Sequence, residues 1–170
     1  EAGPRLLPSF SERSSERAKQ SLSKLGVEVL LDSAVDRMYP SDIHLKSGRI
    51  VSAGTTIWAA GVAADQQWTS LGDSDRLNRL VVDENLQLSQ NVWVIGDMAH
   101  SEDDDGQPLP MVASVAMQQG RYVAGVMTGK KSGPFSYKDK GQMATVGRRL
   151  AVVEMPNGLR LHGTLAWLSW

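Results

Sequence analysis

The chain has 170 residues and a mass of 18.5 kDa, and 41% of its residues are hydrophobic and 22% charged. This is a globular composition, which excludes collagen, a coiled coil and general disorder. The 18 Lys and Arg against 19 Asp and Glu leave a formal net charge of -1, so no overall basic field exists to bind nucleic acid. Because the chain has no cysteine, disulfides, thiolate zinc sites and iron–sulfur clusters are also excluded.

The N-terminal part of the chain predicts one amphipathic helix followed by short strands. The helix is expected over residues 10–26, with Ser11 as its N-cap and Gly26 at its C-terminal end, because the apolar residues between them recur at helical spacing. Strands are predicted at 27–31 and 56–59, and a hairpin at 43–45 and 49–51 around Ser47 and Gly48.

The middle of the chain predicts a buried strand and a long helix. The continuous apolar run 92–95 is typical of a strand covered on both faces, as in a parallel sheet, and a shorter strand is expected at 80–82. Apolar residues recur at helical spacing over 111–127, just after two prolines. Alternation of strands and helices favours an α/β layer architecture.

The C-terminal part predicts a small β appendage and then an apolar helix. A turn is expected at 130–134, strands at 144–146, 151–154 and 159–161, and a helix from Thr164 to Trp170. None of the apolar stretches has the length that a bilayer core requires. Because the sequence lacks an initiator Met and the apolar helix stops abruptly, we expect the chain to be a piece of a longer protein.

The strongest chemical signal is Gly96 and Asp97 at the end of the apolar run 92–95. Ligands in open α/β sheets bind beyond the carboxyl ends of strands, where an Asp accepts hydrogen bonds from sugar or polyol hydroxyls and a Gly permits close backbone approach. The alternative is that Asp97 caps the following loop or helix. The spacing of this segment leaves both interpretations open.

Three segments follow one another along the chain, at 55–61, 92–97 and 110–120. Together they resemble the C-terminal half of flavoproteins with two dinucleotide-binding domains. Three further segments resemble the type II NADH dehydrogenases, the single-subunit NADH:quinone oxidoreductases, and these are 1–8, 134–152 and 163–170. The resemblance covers nearly the whole chain.

The resemblance implies an α/β fold, as part of a Rossmann-like FAD- and NAD(P)-binding flavoprotein with a small β and helical appendage. Residues 1–62 would be the C-terminal part of the NAD(H)-binding domain and residues 63–129 that of the FAD-binding domain. Residues 130–170 would form the appendage and the start of a membrane-associating helix.

The resemblance also assigns residues to FAD. Asp97 would accept from a ribityl hydroxyl and Gly96 would permit close approach, whereas Ala113 and Ser114 would open a helix beneath the pyrimidine edge of the flavin. The positive end of that helix would stabilise the anion of the reduced flavin. No residue is assigned as a catalytic acid, base or nucleophile.

Other residues are assigned to NADH and quinone. Ala60 and Gly61 would line the groove between the cofactors, and Glu1 would contact the adenosine ribose of NADH. Ser114 and Gln118 would lie near the quinone head. Related proteins usually have Gln at the position of Ser114, so this chain departs from the family pattern where the electron acceptor is expected.

Two negative expectations complete the site assignment. No metal site is expected, because His44, His100 and His162 lack ligand spacing and the acidic run 103–105 lacks the EF-hand pattern. The chain contains no Gly-x-Gly-x-x-Gly, so both phosphate-binding turns are expected before Glu1, and the chain alone should be inactive.

The implied function is transfer of a hydride from NADH to FAD and then of two electrons to a membrane quinone, without proton pumping. The tail helix implies peripheral attachment to the cytoplasmic face of a bacterial membrane, and the alternatives for this helix are a homodimer contact or simple packing in the core. The absence of cysteine argues against a sulfide:quinone enzyme. Two alternatives stay open, a soluble FAD-dependent NAD(P)H reductase with another acceptor and a flavin-free binding module derived from such an enzyme.

Overall fold

The computed structural model describes residues 1–168, which form a mixed α/β structure. The helices are α1 (Glu12–Lys24), α2 (Ala113–Met127) and α3 (Thr164–Leu168). The strands are β1 (Val35–Met38), β2 (Asp42–Leu45), β3 (Ile50–Ser52), β4 (Leu80–Val81), β5 (Gln87–Ser89), β6 (Val92–Trp93), β7 (Ala99–His100), β8 (Gln142–Gly147), β9 (Leu150–Glu154) and β10 (Arg160–Gly163). Two residues of the predicted tail helix, Ser169 and Trp170, lie outside the described residues.

The chain divides into two compact units. The first unit consists of Glu1–Trp58 together with the chain from Lys140 onward, and the second consists of Ala59–Asp139. Strands β8 to β10 and helix α3 therefore belong with α1, and residues 130–139 belong with α2.

Helix α1 begins and ends close to the residues predicted for it. The side-chain oxygen of the N-cap, Ser11, accepts a hydrogen bond from the backbone N–H of Ser14. The helix ends just before Gly26, whose φ of 83° lies in the left-handed region that a glycine at a helix C-terminus adopts without strain. The predicted helix and its N-cap are confirmed.

A carboxylate distant in sequence reinforces the start of α1. Glu154, at the end of β9, accepts hydrogen bonds from the N–H and hydroxyl of Ser11 and, at 2.6 Å, from the hydroxyl of Ser14. Arg160 Nε lies 3.6 Å from Glu154 Oε1. Burial raises the pKa of Glu154, but the hydrogen bonds from Ser11 and Ser14 outweigh it and hold that pKa below its usual value. A negative charge is thus kept at the positive end of the helix dipole.

The predicted hairpin is confirmed. Strands β2 and β3 pair antiparallel, with Ile43 opposite Val51. Gly48 supplies a φ of 86° in the turn between them. Strand β1, which the sequence pattern did not predict, pairs with the other edge of β2, and a bulge interrupts its register.

Two strand predictions are wrong, because residues 1–168 contain no strand at 27–31 or 56–59. At the end of the first segment the amino group of Glu1 donates to the carbonyl of Leu30 at 3.0 Å, and just beyond it Asp32 donates to Gly3 and Ser33 to Glu1, but these backbone hydrogen bonds do not form a paired strand. In the second segment the side chain of Trp58 is 59% exposed. A strand requires a continuous ladder of partners beside it, and an apolar β-rich run cannot supply that ladder by itself.

The strands predicted in the C-terminal part are confirmed, and they form a three-stranded antiparallel sheet in the order β10-β9-β8. One face of this sheet packs against α3 through a small apolar cluster, whose buried members are Ala151, Val153 and Ala166. Leu165 and Leu168 point away from this cluster and are 71% and 68% exposed. Helix α3 therefore joins the appendage along one side only.

The second unit contains a parallel strand pair, but not where the sequence predicts it. Strands β4 and β7 are parallel, with Leu80 opposite Ala99. Within the predicted run 92–95 only Val92 and Trp93 form a strand, β6, which pairs antiparallel with β5, and Val92 and Ile95 are 43% and 39% exposed. The preceding strand β5 is thus the partner of this segment, in place of the parallel strands that were expected on either side. The prediction of a strand buried on both faces is wrong.

Helix α2 is confirmed and provides much of the core of the second unit. Its residues Tyr122 and Val123 pack with the fully buried Leu86, and Trp93 and Phe135 cover this cluster. The rings of Tyr122 and Phe135 meet edge to face, with centroids 5.5 Å apart. The helix consequently packs against the β5–β6 region through Leu86 and Trp93, and against the segment after residue 130 through Phe135.

Arg79 and Asp75 form a buried ion pair in the loop before β4, and His100 of β7 contacts the same carboxylate. Arg79, which is 7% exposed, donates from Nε to Asp75 at 2.7 Å and from Nη1 to the carbonyl of Leu109 at 2.9 Å. The Nδ1 atom of His100 lies 3.0 Å from the same carboxylate. Burial raises the pKa of Asp75, but the hydrogen bonds from His100 and Arg79 prevail and hold that pKa well below its usual range.

Replacement of Glu154 by Ala should lower the free energy of unfolding by about 1–3 kcal/mol, because two hydroxyls and one backbone N–H at the start of α1 lose their acceptor. Chemical denaturation of the protein measures this change. Glu28→Ala is the matched control, since Glu28 pairs with Arg49 at 3.2 Å on the surface, where its side chain is 74% exposed. Equal stability of the Glu154 and Glu28 variants would contradict the proposed role of the long-range cap.

Candidate functional site

The Gly96 and Asp97 pair lies in a tight turn against α2. Residues Gly96–Met98 form one turn of 3-10 helix directly after the apolar run, and Gly96 has a φ of 65°. A Cβ built at Gly96 would lie 3.4 Å from the Cβ of Ala116, so the backbone here approaches the helix as closely as a side chain would permit. The side chain of Asp97 is exposed at this turn.

The N-terminus of α2 lies beside this turn and has no side-chain cap. Val112 occupies the N-cap position in an extended conformation, with no side-chain hydrogen bond to the first turn. The helix starts with Ala113, which is exposed, and Ser114, which is half-buried. Backbone N–H groups at such an end lack intrahelical partners and carry the positive end of the helix dipole. The arrangement can therefore hold an electronegative ligand edge.

A buried amide fixes the turn to the helix. Gln119 is 0% exposed, its Oε1 accepts from the N–H of Gly96 at 2.6 Å, and its Nε2 donates to the hydroxyl of Ser101 at 2.8 Å. The side chain of Gln119 thus bonds both to the N–H of Gly96, which precedes β7, and to the hydroxyl of Ser101, which follows β7. The amide therefore joins the turn to α2 by a hydrogen bond from Gly96 to a side chain of the helix.

The two residues predicted near the quinone hold a neighbouring segment. The hydroxyl of Ser114 lies 2.8 Å from that of Tyr137. One turn further along α2, Gln118 donates from Nε2 to the carbonyl of Lys138 at 3.0 Å and accepts from the N–H of Lys138 at 3.1 Å. Both side chains therefore position the segment 137–138 along the first half of α2.

The remaining predicted residues lie elsewhere. Ala60 and Gly61 are exposed residues of the second unit, and Gly61 has a φ of 117°. Glu1 belongs to the first unit, where its Oε1 accepts from the N–H of Gly3 at 2.8 Å. The structure therefore brings Gly96, Asp97 and the start of α2 together, and does so within the second unit alone.

Sequence reasoning missed the contacts that hold this site. Gln119 stands on the apolar stripe of α2, and a polar residue at a buried position is the signal that indicates a hydrogen-bonding role. Tyr137 and Lys138 gave no comparable signal, because their partners are 23 and 20 residues away in the chain.

Residues 1–168 contain neither a metal-binding cluster nor a membrane-spanning helix. In this range no group of three or more His, Cys, Asp or Glu side chains is arranged to hold a metal ion. The same residues include no helix of the length and apolar character needed to cross a membrane.

The family of the chain follows from comparison with known proteins. The family model of the pyridine nucleotide-disulphide oxidoreductases matches residues 1–120. The chain belongs to this family, whose members depend on FAD and a pyridine nucleotide.

Named relatives are similar over nearly the whole chain. The chain is 34% identical to the type II NADH:quinone oxidoreductase Ndh of Mycobacterium tuberculosis, with all of this chain and 39% of the relative covered. It is 32% identical to the internal alternative NAD(P)H-ubiquinone oxidoreductase A1, mitochondrial, of Solanum tuberosum, with 97% of this chain and 38% of the relative covered. The chain therefore spans about two-fifths of the length of these relatives.

The fold is similar to that of solved structures in the same group. The structure of NDH2 from Plasmodium falciparum in complex with NADH matches with a TM-score of 0.82 at 18% identity, over 98% of this chain and 52% of that one. A FAD-dependent pyridine nucleotide-disulphide oxidoreductase from Desulfovibrio vulgaris matches with a TM-score of 0.72 at 18% identity, over 91% of this chain and 41% of that one. The predicted α/β fold of a FAD/NAD(P)-binding oxidoreductase is confirmed.

Replacement of Gln119 by Met should destabilise the protein by about 1–3 kcal/mol, because the N–H of Gly96 and the hydroxyl of Ser101 lose their partner in a buried place. Thermal or chemical unfolding measures this loss. The matched control is Gln90→Met, since Gln90 is exposed in the same unit. If the two variants were equally stable, the amide of Gln119 would not be what holds the turn.

Proposed function

We propose that this chain is part of a flavoenzyme that oxidises NADH and passes two electrons to a quinone. The observation that carries the proposal is the uncapped start of α2 beside the Gly96–Met98 turn. It is supported by 34% identity to a type II NADH:quinone oxidoreductase across the full chain.

The residues of the second unit fit a bound flavin. Asp97 would accept a hydrogen bond from a ribityl hydroxyl, and the glycine before it leaves the backbone of the turn open to the ligand. The N–H groups of Ala113 and Ser114 would donate to the electronegative pyrimidine edge of the ring. When bound, FAD supplies the two-electron chemistry, and the chain supplies orientation and electrostatics, with no residue of its own as acid, base or nucleophile.

Ser114 and Gln118 would contribute to the acceptor side through the segment that they hold. Each side chain is engaged with Tyr137 or Lys138, so the wall beside the start of α2 is built from both helix and segment. A quinone head group approaching here would meet the hydroxyl pair of Ser114 and Tyr137 as a donor. This pair takes the place of the longer Gln side chain of related proteins.

The remaining assignments belong to the same proposal. Residues 1–62 would form part of the NAD(H)-binding domain, residues 63–129 part of the FAD-binding domain, and residues 130–170 the appendage with its tail helix. Glu1 would contact the adenosine ribose of NADH, and Ala60 and Gly61 would line the groove between cofactors.

The tail helix would attach the enzyme to a membrane. Leu165 and Leu168 of α3 are exposed, as expected for a side chain pair that meets lipid or a second copy of the chain. Peripheral attachment to the cytoplasmic face of a bacterial membrane would bring the acceptor site close to a lipid-soluble quinone. On its own, without the rest of the enzyme, the chain would be inactive.

Replacement of Asp97 by Ala in the full-length enzyme should weaken FAD retention by roughly tenfold, because a charge-assisted hydrogen bond to the ribityl chain is lost. Flavin absorbance per protein after dialysis measures this change. Asp73→Ala is the control, since Asp73 is also an exposed acid of the second unit. Unchanged flavin content in the Asp97 variant would remove this residue from the site.

A further inference from the structure

A cationic cleft of about 620 Å³ lies against the middle of α2. It is lined by Gln118, Arg121, Tyr122, Lys130, Lys131, Ser132, Pro134, Phe135, Ser136 and Lys138. Four of these residues carry a positive charge, and no Asp or Glu is among them. The doublet Lys130-Lys131 is too short to indicate an anion site by sequence, but the fold adds Arg121 and Lys138 to it.

The position of Lys131 is fixed by the helix. A Cβ built at Gly125 would lie 2.8 Å from Cγ of Lys131, so the aliphatic stem of this lysine occupies the space that the glycine leaves free. The backbone N–H groups of Lys130 and Lys131 both donate to the carbonyl of Gly125, at 2.8 and 3.1 Å. The Nζ atom of Lys131 lies 6.0 Å from the ring centroid of Tyr122, within range of a cation–π contact.

The opposite side of the cleft is fixed as well. The paired hydrogen bonds between Gln118 and the backbone of Lys138 hold that residue beside the helix. Residues 118, 121, 122 and 125 stand three and four apart, so they form one face of α2. Lys131 is therefore held beside Gly125 and Lys138 beside Gln118, and Arg121 lies between these two positions on the helix.

We propose that this cleft binds a phosphate group. Lysine ammonium groups and an arginine guanidinium are the side chains that recognise phosphate oxygens, and the hydroxyls of Ser132 and Ser136 add neutral donors. The aromatic rings of Tyr122 and Phe135 form an apolar part of the wall, suited to the organic portion of a phosphate ester. The cations are exposed, so the affinity falls with rising ionic strength.

The test is calorimetric titration of inorganic phosphate into the full-length, FAD-loaded protein. Wild type should bind saturably, and the double variant Lys131→Gln/Lys138→Gln should bind roughly tenfold more weakly, since two charge-assisted contacts are lost. Arg76→Gln is the control for the loss of a positive charge elsewhere, because Arg76 is an exposed cation of the same unit outside the cleft.

A second arm separates the two sources of a phosphate group. Sedimentation with phosphatidylglycerol vesicles is compared between the same three proteins. Phosphate binding that depends on Lys131 and Lys138 indicates a soluble phosphate ligand, and vesicle binding alone with that dependence indicates a lipid headgroup. Equal behaviour of the double variant and Arg76→Gln in both arms, or no saturable binding by wild type in either, would overturn the proposal.

Discussion

The candidate site depends on one buried amide. Gln119 is fully removed from water and connects the N–H of Gly96 with the hydroxyl of Ser101. A buried amide without partners is costly, so the helix, the turn and β7 are held in the single arrangement that satisfies it. The exposed position of Asp97 and the free start of α2 both follow from this arrangement, because the turn would otherwise have no fixed distance from the helix.

The same principle operates in the first unit with a charge instead of an amide. Glu154 lies at the start of α1 and accepts from Ser11 and Ser14, although 140 residues or more separate the partners. The carboxylate thus links the helix near the beginning of the chain to the sheet near its end. In both units a side chain of one element completes the hydrogen bonds of a helix end or a turn in another element. The apolar clusters of the two units are small.

Sequence patterns predicted the elements that carry their own signals. Ser11 and Gly26 mark the ends of α1, Gly48 marks the hairpin, and the apolar period marks α2. The strands at 27–31 and 56–59 failed because strand formation depends on partners that a local pattern does not contain.

For the candidate site, the sequence predicted the family and the segments involved, but not the contacts between their side chains. The order of the segments around Gly96 and Ala113 was sufficient to indicate the family, as the match over residues 1–120 confirms. The contacts of Ser114 and Gln118 could not be predicted, since Tyr137 and Lys138 reach them only through the path of the loop. Likewise, no local pattern joins Arg121 and Lys138 to the lysine doublet 130–131. These features arise from distances in space between residues far apart in sequence.

The central claim is that the arrangement around Gly96 and α2 serves a flavin that takes electrons from NADH and gives them to a quinone. The most direct measurement is anaerobic absorbance of the full-length protein in the flavin band, with NADH added first and a soluble quinone analogue second. NADH is expected to bleach the flavin band, and the quinone analogue is expected to restore it. Bleaching without recovery would contradict the quinone as acceptor, and a protein purified without flavin would contradict the account as a whole.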